Sequence, residues 1–184
     1  MTRRDIPNLI CWFRIALVAP VVWTMLKFDF QLALLLFAIA GISDGLDGFL
    51  AKHYHWKSRL GSILDPLADK LLLVASFATL SYLALLPWWL FALVMGRDLL
   101  IVAGAFAYHK AFGEFEFEPL WSSKVNTLLQ IVLVLLVMVQ VQWFPQLDEI
   151  KTIVIWIVVF SVIISGSEYV LVWGRNAWRQ WKKN

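Results

Sequence analysis

Continuously apolar stretches recur along the chain at about residues 7–27, 31–51, 61–86, 88–109, 122–142 and 151–173, and each can be closed by charges, proline or glycine. Barrel strands would alternate in polarity over about ten residues, whereas these runs are apolar at consecutive positions, so the pattern predicts helices. A membrane span needs about 20 mostly apolar residues, and six of that length with short connections occupy nearly the whole chain. The expected fold is all-α: a polytopic membrane protein of six transmembrane helices forming one domain over 1–184, with no internal repeat, low-complexity tract or long linker. The opening Met-Thr-Arg-Arg ahead of an apolar run has the look of a signal peptide. Arg14 interrupts that run, the hydrophobic stretch continues to Leu26 and no small-x-small site follows, so the segment reads as an uncleaved first span.

Composition and charge sharpen this picture. Of 184 residues, 61% are hydrophobic, 15% aromatic and only 16% charged, against about 25% charged in soluble domains. Lysine and arginine orient the spans. Arg3, Arg4, Lys52, Lys57, Arg59, Lys110, Lys124, Arg175, Arg179, Lys182 and Lys183 fall on one side, and only Lys27 and Lys151 on the other. Both termini and the 52–60 connection are therefore expected to be cytoplasmic. The net charge of +3 and pI near 9.1 follow from that topology and from lipid headgroups, and no nucleic-acid partner is needed to explain them. Trp88, Trp89, Trp121, Trp143, Trp173, Trp178 and Trp181 lie near predicted helix ends, where indole suits the interface. The single cysteine, Cys11, is read as a packing residue.

The second span ends in Ser43-Asp44-Gly45-Leu46-Asp47-Gly48-Phe49-Leu50-Ala51-Lys52, and the third begins Gly61-Ser62-Ile63-Leu64-Asp65-Pro66-Leu67-Ala68-Asp69-Lys70. On a helix Asp44 and Asp47 share a face with Gly48 and Ala51, while Gly61, Asp65 and Asp69 repeat every four residues and form another stripe. An aspartate at the centre of a membrane helix costs roughly 2.5–3.5 kcal/mol, so four beside apolar helices should face a cavity and carry counter-charges. Carboxylates without a nearby His or Cys cluster select hard cations, Mg²⁺ or Mn²⁺, over zinc. Gly48, Ala51 and Gly61 are either small-residue helix packing or, beside four acids, room for a bulky polar group. A cation transporter would also use intramembrane carboxylates, but these gather at one membrane face, and Asp98 and Glu168 are too scattered to form a relay. A non-enzymatic scaffold would have little use for them.

The spacing Asp44-x2-Asp47-Gly48-x2-Ala51-Lys52-x8-Gly61-x3-Asp65-x3-Asp69 closely resembles the signature of the CDP-alcohol phosphatidyltransferase family, with lysine at Lys52 where arginine is usual. The similarity extends from Ile6-Pro7-Asn8 through Arg14 to Ser123-Lys124-Val125-Asn126-Thr127. The resemblance implies a six-helix, usually homodimeric fold whose site opens to the cytoplasmic leaflet. It implies two metal ions on Asp44, Asp47, Asp65 and Asp69, with Asp69 as general base. Asp44, Gly48, Ala51, Lys52, Gly61, Ser62 and Asp65 would bind CDP. The expected reaction is transfer of a phosphatidyl group from CDP-diacylglycerol to an alcohol with release of CMP. Lys52 keeps the positive charge and loses the bidentate fork of arginine.

Arg97 and Lys124 are the candidates for acceptor binding, although Arg97 could instead pair with Asp98 and Lys124 could serve only orientation. The Ser-Lys-Val-Asn-Thr run, the Arg-Asp pair and the Ile-Pro-Asn start resemble the cardiolipin synthase branch, whose acceptor is phosphatidylglycerol. The phosphatidylglycerophosphate synthase branch, using glycerol 3-phosphate, often carries a second lysine where Asn126 stands. His53 and His55 are read as residues of a solvated basic connection rather than catalytic groups, since metal-assisted displacement needs no imidazole. His109 is unassigned, and Glu114, Glu116 and Glu118, alternating with Phe115 and Phe117, are read as an interfacial or partly extended segment near the acceptor's approach. The compact, basic chain without an evident transit segment is expected in a bacterial cytoplasmic membrane.

Overall fold

A computed structural model describes the backbone of residues 6–53, 61–112 and 120–181 and, within them, the side chains of 10–44, 67–107, 110 and 120–175. Among the described residues the chain is all-helical, with six α-helices and no strand: α1 (Ile6–Leu26), α2 (Phe30–His53), α3 (Gly61–Tyr82), α4 (Trp88–Phe112), α5 (Trp121–Gln142) and α6 (Asp148–Trp181), the last preceded by a 3-10 turn at Pro145–Leu147. Among the described residues three stretches are long and apolar enough to cross a membrane: Trp88–Ala107, Trp121–Gln142 and Pro145–Arg175. Two further apolar stretches, Ile10–Leu26 and Phe30–Asp44, are shorter.

Two helix ends show why the chain turns where it does. The third apolar run extends to residue 86, but α3 stops at Tyr82. There the Leu85 N–H donates to the Leu80 carbonyl at 3.0 Å and the Ala84 N–H to the Ser81 carbonyl at 3.1 Å, the paired bonds of a Schellman cap, with Ala84 in the left-handed region at φ 58°. Pro87 follows, and the residue before a proline is disfavoured in a helix. The same cap closes α1: Asp29 N–H to the Thr24 carbonyl at 3.0 Å, Phe28 N–H to the Met25 carbonyl at 2.9 Å, and Phe28 at φ 60°. Asp29 then caps α2, its carboxylate accepting from the Leu32 N–H at 3.1 Å. α6 begins earlier and runs further than its apolar stretch, and Asp148 and Glu149 in its first turn suit the positive end of the helix dipole.

The chain forms two compact units. The first holds residues 1–86 and 134–147, the second 87–133 and 148–184, so that α5 gives its C-terminal part to one and its N-terminal part to the other. In the first, α1 packs against both α2 and α3. Its buried stripe, Cys11, Arg14, Val18, Val21 and Met25, steps by three and four residues along one face. On α2 the buried positions Phe30, Ala33, Phe37 and Ala40 step likewise, and the next position in phase is Asp44. Ala33 and Ala40 are fully buried, which brings the helix axes close.

In the second unit α4 packs on α6. Buried Leu90, Val94 and Arg97 continue in phase to Gly104, and on α6 the buried line is Ile155, Val158, Val162, Ser165 and Tyr169. The Trp173 ring sits where a side chain at Gly104 would lie. It stacks at a tilt on Tyr169 with ring centroids 5.5 Å apart. Trp173 is thus a packing residue rather than only the interfacial anchor expected of it. Trp88, Trp89, Trp121 and Trp143 are exposed near helix ends, as anchors are, whereas the side chains of Trp178 and Trp181 lie outside the described residues.

Candidate functional site

Arg14 joins the helices of the first unit through charge. One of its terminal nitrogens lies 2.7 Å from Asp44 Oδ1 and also pairs with Asp69 Oδ1, so a residue of α1 ties the C-terminal half of α2 to the N-terminal half of α3. The guanidinium is buried, with 1% of its side chain exposed, while Asp44 and Asp69 keep 45% and 47% of theirs. The acids therefore have an open side. This is a counter-charge of the kind expected for the aspartates, supplied to two of them by an arginine that the sequence presents as an interruption of the first span and as part of the family resemblance. What could have revealed it is phase: Arg14 lies on the same helical stripe as Cys11, Val18, Val21 and Met25, all buried.

Of the residues expected to hold metal, Asp44 and Asp69 are thus brought together, although they are 25 positions apart in sequence. The side chains of Asp47 and Asp65 lie outside the described residues, as do those of Lys52 and Ser62 and the surroundings of Gly48, Ala51 and Gly61. The backbone at all of these positions is helical, in α2 or α3. Among the described residues no three His, Cys, Asp or Glu side chains cluster. His55 and the 113–119 segment with its three glutamates are outside the described residues, and so are the side chains of His53 and His109.

The second unit carries a polar cluster around Arg97. Its guanidinium pairs with Asp98 at 2.8 Å, donates to Ser123 Oγ of α5 at 2.8 Å and to Ser165 Oγ of α6, and lies 5.8 Å from the centroid of the Tyr169 ring. The pairing with Asp98, one of the two readings of Arg97, is present. Arg97 nevertheless keeps a buried Nε–H with no partner among the described residues. Ser161 Oγ donates to Asn126 Oδ1 at 2.8 Å, and the amide nitrogens of Asn126 and Gln130 are buried donors without a partner among the described residues. Lys124 is exposed, its ammonium 5.3 Å from the centroid of the Trp121 ring. Asn126 stands in the run that resembles the cardiolipin synthase branch, whereas Gln130 carries no charge and belongs to no such run, so only its burial singles it out.

The chain is similar to proteins from several branches of life. A cardiolipin synthase (CMP-forming) from Rattus norvegicus is 37% identical over 145 residues, covering 70% of this chain and 48% of its own length. A chloroplastic CDP-diacylglycerol–glycerol-3-phosphate 3-phosphatidyltransferase from Oryza sativa is 32% identical over 183 residues, covering 90% of this chain and 56% of its own length. A probable phosphatidylglycerophosphate synthase from Mycobacterium tuberculosis is 30% identical over 135 residues, covering 73% of this chain and 62% of its own length. The chain spans about half the length of the curated relatives it matches first, 48% of the rat and human proteins. The sequence profile of the CDP-alcohol phosphatidyltransferases matches residues 4–164, from ahead of Arg14 through both aspartate-bearing helices and past Arg97, and the chain therefore belongs to that family.

Proposed function

We propose that this protein transfers a phosphatidyl group from CDP-diacylglycerol to an alcohol and releases CMP, as one domain of six membrane spans with both termini and the aspartate site at the cytoplasmic face. The observation that carries the reading is the convergence of Asp44 and Asp69, the first and last acids of the signature, on Arg14. Two carboxylates from different helices already gather around one cation, and the signature offers oxygen donors, which suit hard divalent ions. The set therefore fits Mg²⁺ or Mn²⁺, two ions by resemblance, held by Asp44, Asp47, Asp65 and Asp69. When bound, such ions neutralise a diphosphate and stabilise the leaving oxygen of CMP.

The chain's own residues do the remaining work. Asp69, half exposed and anchored through Oδ1 by Arg14, takes the proton of the acceptor hydroxyl as that oxygen attacks the phosphatidyl phosphorus. The bond from phosphorus to the bridging oxygen breaks, CMP departs and no covalent enzyme intermediate forms. Asp44, Gly48, Ala51, Gly61, Ser62 and Asp65 line the CDP site, where the small residues leave room and Lys52 offers a point charge to the diphosphate.

For the acceptor we favour phosphatidylglycerol. A phosphodiester brings one negative charge, and Arg97 and Lys124 are candidates to meet it, while the buried donors of Asn126 and Gln130 match a headgroup rich in hydroxyls. Glycerol 3-phosphate is the second reading, favoured by the names of the rice and mycobacterial relatives. A homodimer in a bacterial cytoplasmic membrane completes the proposal; relatives from rat, rice and Mycobacterium alike mean that similarity by itself does not choose the membrane. The test is CMP release by purified protein in mixed micelles with CDP-diacylglycerol and Mg²⁺ or Mn²⁺, comparing the two acceptors. Activity with phosphatidylglycerol that a chelator abolishes is expected. Activity with glycerol 3-phosphate alone would transfer the protein to the second reading, and CMP from neither acceptor would favour a divalent-cation transporter.

A further inference from the structure

Arg14 meets Asp44 and Asp69 from the inside of the α1–α2–α3 packing: its side chain is 1% exposed, whereas theirs are 45% and 47% exposed. The open side of both acids is thus turned away from the guanidinium. Holding two carboxylates on one nitrogen brings like charges together, and they repel unless a cation stands between them. Arginine is charged at every physiological pH, so its compensation does not depend on how much free metal surrounds the protein. Its place on the buried stripe of α1 leaves it little freedom to swing away.

We infer that Arg14 is a resident cation that takes the part of a metal ion in the unloaded site. It holds Asp44 and Asp69 together before divalent metal arrives, and it sets metal affinity by competing electrostatically for the same two carboxylates. The inference rests on the metal-dependent reading of the site given above. Arg14 is on this account a positioning residue: it touches the acids and not the substrate. Two consequences separate it from an arginine that merely fills space. Without the guanidinium, bound metal supplies a larger share of the charge that neutralises the paired acids, so stability depends more strongly on metal. The affinity for metal also rises, since one competing charge has gone. Loss of packing would lower stability equally with and without metal.

The experiment uses full-length protein in lipid micelles without substrate, following Mn²⁺ binding by electron paramagnetic resonance and thermal unfolding in chelator and in saturating Mn²⁺. Wild type, Arg14→Gln and Arg14→Lys are compared. Arg14→Gln is expected to bind Mn²⁺ on the order of tenfold tighter. Its melting temperature should rise from chelator to Mn²⁺ by at least twice the wild-type amount, while Arg14→Lys, which keeps the charge, stays near wild type. A Mn²⁺-induced rise in Arg14→Gln no larger than that of wild type, or weaker Mn²⁺ binding, overturns the inference. If Arg14→Gln does not fold in either condition, the triple variant with Asp44→Asn and Asp69→Asn decides: recovery of folded protein supports charge compensation, and continued failure overturns it. Should wild type and variants all bind no Mn²⁺, the metal-dependent reading falls and this inference with it; Mn²⁺ binding that is equal in wild type and Arg14→Gln sinks the inference alone.

Discussion

Replacing Arg97 with methionine keeps much of the side chain's length and removes its charge. The guanidinium and Asp98 are 5% and 13% exposed in a 2.8 Å ion pair, and further bonds reach Ser123 and Ser165 on two other helices. Hydrogen bonds between membrane helices average about 0.6 kcal/mol and rarely exceed about 1.7, so the two serines together account for about 1–2 kcal/mol. The cation–π contact with Tyr169 adds on the order of 1 kcal/mol. Breaking a buried ion pair by deleting one partner costs about 3–5 kcal/mol and outweighs both. These terms share a single group and do not add, so the expected loss for Arg97→Met is about 3–5 kcal/mol. Equilibrium unfolding by titration of sodium dodecyl sulfate into mixed micelles measures it. Arg97→Lys, which keeps the charge but not the planar fork, should lose only about 1–2 kcal/mol. Arg97→Met combined with Asp98→Asn should recover at least half of the loss. A cost below about 1 kcal/mol for Arg97→Met, or a double variant no more stable than the single one, would refute the assignment of the energy to the ion pair.

Three further outcomes are expected. Ala84→Gly should stabilise the protein by about 0.5–1 kcal/mol, because φ 58° at an exposed alanine strains the Schellman cap by more than glycine's extra unfolded-state entropy costs; the same titration reads it. Gly104→Ala should destabilise by about 1–3 kcal/mol, since the new methyl collides with the Trp173 ring and pushes it off Tyr169, and the tryptophan fluorescence of a variant lacking the other indoles near α6 should shift with it. Asp69→Asn should lower CMP release by about 10²–10⁴-fold if the carboxylate is the general base, with the unfolding midpoint in Mn²⁺ showing that the protein remains folded. A variant with more than a tenth of wild-type turnover would remove Asp69 from that role.

The aspartate signature, the helices and the asymmetric distribution of lysine and arginine are all local or compositional, and all are legible in the amino-acid sequence. A continuous apolar run of about 20 residues can satisfy its backbone in lipid only as a helix. Acids at intervals of three and four share a helix face whatever surrounds them. Helix phase is not legible in this way. In α1 and α4 the exposed positions are largely as apolar as the buried ones, so hydrophobicity does not say which side of the helix meets protein, and the role of Arg14 cannot be read from the pattern. Only the packing of α1 on α2 and α3 shows that Arg14, 55 residues from Asp69, is the cation beneath the acids. Likewise Arg97 and Ser165, 68 residues apart, and Gly104 with Trp173 meet because α4 lies on α6. The end of α3 stands between the two cases: Pro87 announces a stop in the sequence, but the cap at Ala84, with a residue that seldom takes a left-handed conformation, is imposed by the fold. The sequence by itself determined the family and marked out the acids proposed to react, because both are written in short spacings. The tertiary structure alone decided which charges neutralise which, because an ion pair depends on distance in space and not along the chain.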